Sequence, residues 1–244
     1  MSALNLELSN ELQAPALAAT YKLAGRIHIP GVLTDQSAKD LFDAIADFKE
    51  WILHLNQGDK LFDVFPEQRK AMTDQQLHDI RMAAYAGAQK GFQYIYDNYP
   101  IYDAYHAGEC AKPFNKLFEF INSKPFIEFV RTVTGHADIT FADAQLTKFS
   151  PGDFLTIHDD NVYGKDRRAA FVLNMTPEWQ PDWGGILQFF DKKKHVEGGF
   201  TPSFNALNIF SIPKPHAVSQ VSTFSRRARY SITGWLRTGT DPKA

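Results

Sequence analysis

The chain has 244 residues, 44% apolar and 14% aromatic, enough to bury a substantial core in one generous domain or two small ones. Its 26 basic residues nearly balance 28 acidic ones, for a formal charge of -2, which excludes a global field drawing it onto nucleic acid or anionic lipid. A single cysteine, Cys110, excludes an internal disulfide and fits a reducing compartment.

The N-terminus mixes Asn, Glu and Ser among its leucines and lacks the basic start and unbroken apolar core of a signal peptide. No window approaches the roughly 18 apolar residues of a membrane span. A cytoplasmic protein is expected, with no membrane partner and no direct nucleic-acid partner.

In chain order, residues 1–19 read as an arm that orders on contact. A strand is expected from Tyr21 to Ile29, stopped by Pro30-Gly31. Thr34 caps a helix in which Leu41, Phe42, Ile45 and Phe48 recur at helical spacing. From Glu50 to Asp74 the period fails and a loop is expected. Thr73 then opens a long helix to about Tyr96, with Leu77, Ile80, Ala84, Ala88, Phe92 and Ile95 on one stripe. A tyrosine-rich link, Tyr94 to Tyr105, leads to short helices over Phe114–Ile121 and Pro125–Thr134, the second ended by Gly135.

Beyond Gly135 the period changes to two. Runs over Ile139–Phe149, Phe154–Asp160, Arg168–Met175, Ile186–Phe190, Leu207–Phe210, His216–Val221 and Arg229–Trp235 are separated by turn residues, as in a sandwich or barrel. The expected class is α+β, with a jelly roll in the C-terminal half braced by N-terminal helices. One domain, 1–244, is expected, with mainly helical support over 1–135 and the jelly-roll core over 136–238.

The chemistry centres on Thr156-Ile157-His158-Asp159-Asp160-Asn161. In a strand, His158 and Asp160 project to one side while Asp159 points away. Two histidines and one carboxylate form the ligand set that holds one face of non-haem iron(II) and leaves the other open. His28, His54, His78, His106 and His136 fall in the expected helical half or its turns, and His195 lies in a lysine-rich hairpin. His216 alone begins a strand, after Pro213-Lys214-Pro215. Thirteen residues on, Arg229 shares a strand face with Ser231, Thr233 and Trp235. A guanidinium with a nearby hydroxyl suits a carboxylate, which implies a dicarboxylate cosubstrate.

His158-Asp159-Asp160, His216-x-Val218-Ser219-x-Val221 and Arg229-x-Ser231 resemble, in order and spacing, the iron(II)/2-oxoglutarate-dependent oxygenases of the prolyl 4-hydroxylase superfamily. Arg167-Arg168-Ala169-Ala170-Phe171 and Trp183-Gly184-Gly185-Ile186-Leu187 extend the resemblance, within that group, to the ribosomal-protein prolyl hydroxylases. It spans roughly residues 139–237. It implies a double-stranded β-helix, iron(II) on His158, Asp160 and His216, and 2-oxoglutarate held by Arg229 with Ser231 and Asn174. It further implies O2 as oxidant, ascorbate as an accessory, Trp235 lining the substrate pocket, and hydroxylation of a prolyl residue in a protein such as a ribosomal protein. Phe149 and Asn174 stand where related enzymes often carry tyrosines, and Phe149 cannot donate a hydrogen bond. Longer members also carry a second, degenerate jelly roll. The chain ends at Ala244 without one, and partner docking that relies on it is not expected.

Other readings stay open at this stage. The same centre serves hydroxylation of a free amino acid or other small metabolite, and a catalytically silent jelly-roll binding module is a further alternative. Asp160 argues against a halogenase, where a small residue replaces the carboxylate. His158 and Asp160 could form a solvated strand-end pair, and Arg229 a surface salt bridge of little energetic value. Ser231 and Asn174 could satisfy nearby backbone, Trp235 could be plain core, and Lys192-Lys193-Lys194 a solvated hairpin. Residues 50–74 and the tyrosines between 94 and 105 are candidates for a lid, which a reactive oxygen chemistry requires.

Overall fold

A computed structural model describes residues 4–243. Among them, seven α-helices and twelve strands form a nearly closed antiparallel jelly roll with helices packed on its outside, an α+β fold. The strand order is β1 (Arg26–Pro30), β10 (Ala206–Ser211), β7 (Arg167–Asn174), β12 (Arg229–Thr238), β5 (Ile139–Phe149), β4 (Tyr94–Tyr99), β6 (Phe154–His158), β11 (His216–Val218), β8 (Leu187–Phe190) and β9 (Val196–Phe200). β2 (Ile52–Gln57) adds to β4 and pairs in turn with β3 (Lys60–Val64).

The helices form where capping and periodicity coincide. Thr34 accepts the Ser37 N–H to start α2 (Asp35–Asp47), and Thr73 with Gln76 forms a reciprocal cap on α4 (Asp74–Ala88). α6 (Lys112–Ile121) and α7 (Lys124–Thr134) each carry proline in the first turn, where a missing N–H costs nothing. Gly135 ends α7 at φ 74°, donating its N–H to the Arg131 carbonyl. Phe114, Leu117 and Ile121 of α6 and Phe126, Val130 and Val133 of α7 are buried against the sheet. Each contributes roughly 1.5–3 kcal/mol of apolar transfer.

Strand alternation divides every central strand between two cores. On β12, Ile232 and Leu236 face the helices, while Arg229, Thr233 and Trp235 face the interior of the roll. On β7, Ala169, Phe171 and Leu173 face the helices, and Ala170 and Val172 face inward. The jelly-roll interior is therefore lined by one parity of each strand.

The N-terminal half divides between helix and strand differently from its sequence pattern. Residues 14–24 are helix α1, and β1 starts only at Arg26, because Gly25 adopts φ 62° and closes the helix. The segment 50–74, expected as loop, is the β2–β3 hairpin followed by α3 (Pro66–Ala71). Gly58-Asp59 is its turn, with Gly58 at φ 58°. The long helix ends at Ala88, not Tyr96, and Tyr94–Tyr99 is strand β4, followed by α5 (Ile101–His106). Stripe residues Phe92 and Ile95 continue the helical spacing by coincidence; Lys90-Gly91 breaks the helix before them.

Gly234 has a steric reason to be glycine. A Cβ there would lie 2.0 Å from the Asp143 carbonyl oxygen and 2.7 Å from the Phe171 ring. Gly234→Ala is expected to force β12 away from β5 and β7, lowering stability by at least about 2 kcal/mol. Urea denaturation would read this as a lower midpoint, and an unchanged midpoint would contradict the packing described.

Candidate metal centre and cosubstrate cavity

β6 ends at His158, so the histidine and the acid are not placed together by strand alternation. Asp160 lies beyond the strand at φ 60°, a left-handed conformation that Asp tolerates better than most residues. That turn swings its carboxylate back. Oδ1 is 3.5 Å from His158 Nε2, and Oδ2 is 3.4 Å from His216 Nε2. β11 pairs with β6 so that His216 stands opposite His158, with ring centroids 4.1 Å apart. Arg167 donates to the Asp160 carbonyl at 3.1 Å and bolts the turn to β7.

The tautomers are set from behind. His158 Nδ1 lies 2.9 Å from the Thr156 carbonyl and His216 Nδ1 2.8 Å from the Lys214 carbonyl. Carbonyls only accept, so both Nδ1 atoms carry the proton and both Nε2 lone pairs face Asp160. Burial and the neighbouring His216 lower the His158 pKa to about 4. Burial pushes the Asp160 carboxyl up, but His216 and His158 outweigh it and hold the group at about 2. A carboxylate and two imidazole nitrogens thus converge, their ligand atoms within 4.8 Å of one another. Such a cluster is repulsive by itself and becomes favourable around a cation. The donor set, nitrogen-nitrogen-oxygen with one side open, fits iron(II).

The three residues form one wall of a cavity of about 180 Å³ inside the roll. Arg229 also lines it, only 2% exposed. No carboxylate pairs with this guanidinium among the described residues; its Nε is buried without a partner, and Phe149 lies under it at 5.2 Å. Burial lowers its pKa to about 10, so it stays charged at neutral pH. An unpaired buried cation is costly and implies an anionic ligand. Gly185, at φ 63°, lets the arginine stem pass, since a Cβ there would sit 3.2 Å from Arg229 Cδ.

The other expected site residues separate. Trp235 lines the cavity, with the Arg167 guanidinium stacked 3.7 Å from its ring. Ser231 is buried behind Thr147, with the two hydroxyl oxygens 2.8 Å apart, and Thr147 and Thr233 line the cavity. Asn174 donates to the Val172 and Ala206 carbonyls at the end of β7, two residues past Val172, which does line the cavity. One wall is built from segments that the sequence marks only as lid candidates: His54, Tyr94 and Tyr96, contributed by β2 and β4. Tyr96 stacks on Phe149 at 4.8 Å, bringing a tyrosine to the wall where Phe149 supplies none. The alternation of buried Leu53 and Leu55 around His54 was the available signal.

Next to the cavity, behind Trp235, burial raises the Asp143 carboxyl to about 6, although the Trp235 N–H, Arg167 and Arg237 favour its ionisation. A folded-state pKa above the unfolded value of 3.8 means that the native state binds the extra proton. Asp143 therefore subtracts stability as pH rises from about 4 to about 6, by on the order of 2–3 kcal/mol. In urea denaturation across that window, Asp143→Asn is expected to remove this downward slope; an identical slope in both proteins would contradict the burial argument.

Residues 144–237 match the profile of the 2OG-Fe(II) oxygenase superfamily. The matched segment holds His158, Asp160, His216 and Arg229. Prolyl 3-hydroxylase OGFOD1 of Mus musculus is 35% identical over 101 residues, covering 38% of this chain and 18% of the mouse protein. The Xenopus laevis protein of the same name is 27% identical over 128 residues, covering 50% of this chain and 24% of its own. The chain thus spans a quarter or less of the length of these curated relatives. The fold is shared with a Pseudomonas putida prolyl-4-hydroxylase, TM-score 0.57 and 17% identity over 93% of this chain and all of the other. It is also shared with a Trichoplax adhaerens prolyl hydroxylase solved with a hypoxia inducible factor oxygen degradation domain peptide fragment, TM-score 0.61 and 14% identity, covering 92% and 89% of the two chains. No helix among the described residues is long and apolar enough to cross a membrane.

Proposed function

We propose that this protein is an iron(II)- and 2-oxoglutarate-dependent dioxygenase that hydroxylates a prolyl residue of a protein. The carrying observation is a single cavity with three converging metal-ligand side chains on its wall and an unpaired buried arginine beside them. His158, Asp160 and His216 hold the metal. Arg229 binds the distal carboxylate of 2-oxoglutarate, with Thr147 and Thr233 as the nearby hydroxyls; Ser231 and Asn174 act behind them by fixing the strands. Iron(II), when bound, supplies the activation of O2 coupled to decarboxylation of the cosubstrate to succinate. Phe149, Tyr96, Val172 and Leu187 keep water from that chemistry.

A protein target is favoured over a free metabolite by the cavity's surroundings. Phe92, His158 and Asp160 also line an open groove with Ile157, Val162 and Pro215, a surface along which an extended chain would reach the metal ligands. The relatives named prolyl 3-hydroxylase support the same target class, and a ribosomal protein is our reading of the target. Ascorbate as reductant and a cytoplasmic location complete it. Peptide mass spectrometry comparing cells with and without the protein tests the reading. A proline lighter by one oxygen in the deficient cells is expected, and a proteome with no such loss would contradict it.

A further inference from the structure

The cavity contains a third imidazole that the metal does not need. β2 is hydrogen-bonded between β3 and β4, so His54 stands opposite Asp63 on one side and Tyr96 on the other. Its Nδ1 lies 2.5 Å from Asp63 Oδ1. Its ring stacks on Tyr94 with centroids 4.8 Å apart and meets the edge of Tyr96 at 5.6 Å. A carboxylate on one nitrogen and two aromatic rings around the plane fix both tautomer and orientation. His54 lines the cavity with its side chain 17% exposed, while Asp63 is nearly half exposed. With Nδ1 donating to Asp63, Nε2 is the ring nitrogen left for a ligand, and in the neutral imidazole it is an acceptor.

We propose that His54 is a substrate-binding residue: its Nε2 accepts a backbone N–H of the peptide that presents the target residue, and Asp63 is the positioning residue that holds it. The assignment rests on the oxygenase reading of the cavity and adds how that cavity takes hold of a peptide. A prolyl residue has no N–H of its own, so the amide donors entering the cavity mouth belong to its neighbours in the chain. Stripped of water and left unpaired there, each would cost about 1–3 kcal/mol. The walls next to His54 are aromatic: Phe92, 49% exposed, and Tyr94. They accommodate an apolar ring, and His54 adds a ring-nitrogen acceptor fixed in place beside them.

The test uses the full chain loaded with iron(II) and 2-oxoglutarate, and a library of capped pentapeptides with a central proline. His54→Phe keeps a ring against Tyr94 and removes the acceptor. It is expected to raise the peptide KM about tenfold with kcat within about twofold. His54→Gln, whose amide oxygen reaches toward the Nε2 position, restores most of the affinity. Asp63→Ala raises KM less than His54→Phe does, and Asp63→Asn, which still accepts the Nδ1 proton, restores it. A His54→Phe protein with the wild-type KM, or one that loses kcat at unchanged KM, overturns the proposal. A wild-type protein that shows the anaerobic iron–cosubstrate absorption band but turns over no peptide overturns the peptide as His54's ligand and leaves the oxygenase reading standing. Loss of that band in the wild type overturns the oxygenase reading instead.

Discussion

Arg229→Met is expected to weaken 2-oxoglutarate binding by two to three orders of magnitude while making the ligand-free protein more stable. The guanidinium is buried, charged and unpaired by any carboxylate of the described residues. A bidentate, charge-assisted contact to a carboxylate in such surroundings is worth about 3–4 kcal/mol, most of it lost with the fork. Methionine fills much of the arginine stem's volume without a charge to desolvate. Replacing a buried charge by an apolar side chain of similar shape typically stabilises by about 1–3 kcal/mol. Isothermal titration with 2-oxoglutarate and urea denaturation of the ligand-free protein read the two effects separately. An Arg229→Met protein that kept the wild-type affinity would remove Arg229 from the clamp.

His216→Ala is expected to abolish iron(II) binding at micromolar metal. A three-donor site loses roughly a third of its binding free energy with one ligand, on the order of 3 kcal/mol or more, hence at least a hundredfold in affinity. The fold should persist, because His216 contributes one rung of a three-residue strand and its Nδ1 bond to Lys214 is local. Asp160→Ala should behave similarly toward metal and also relieve the strained backbone little, since alanine tolerates φ 60° less well than aspartate. Metal-dependent thermal shifts in the two variants provide the check. A shift equal to the wild type in either would show that the ion binds elsewhere.

Much of the C-terminal half was legible because its strands are half-buried and their alternation is regular. Ile139–Phe149 matches β5 to the residue, and the shared face of Arg229, Thr233 and Trp235 is the one that lines the cavity. The pairing of His158 with Asp160 was also foreseen, for the wrong reason. Alternation in a strand suggested it, whereas a left-handed Asp160 just past the strand end produces it. Backbone turns of that kind leave no periodic trace. Ser231 has the parity to face the ligand, but Thr147 across the rung stands in front of it. Pattern alone cannot say which of two hydroxyls is nearer the cavity.

The N-terminal half was less legible because its strands are short and each borrows a misleading context. His54 was set aside with the helical segment, although it stands on β2 in the cavity wall. Over 50–74, where the helical period fails, Gly58-Asp59 is the turn of a hairpin. Tyr94–Tyr99 follows a helix whose apolar spacing it happens to prolong, and it becomes a strand because β5 and β6 offer it ladder partners. Tertiary pairing outweighed local pattern there. The cost of missing β2 and β4 was an entire wall of the site.

The most direct test of the reading is anaerobic titration of the protein with iron(II) and then 2-oxoglutarate, followed in the visible. Chelation of a metal on His158, Asp160 and His216 by the keto acid of a cosubstrate anchored at Arg229 is expected to produce a metal-to-ligand charge-transfer band. That band should be absent in His216→Ala and require far more 2-oxoglutarate in Arg229→Met. A wild-type protein that binds both components and shows no band would contradict the assignment of this cavity as an iron–2-oxoglutarate site.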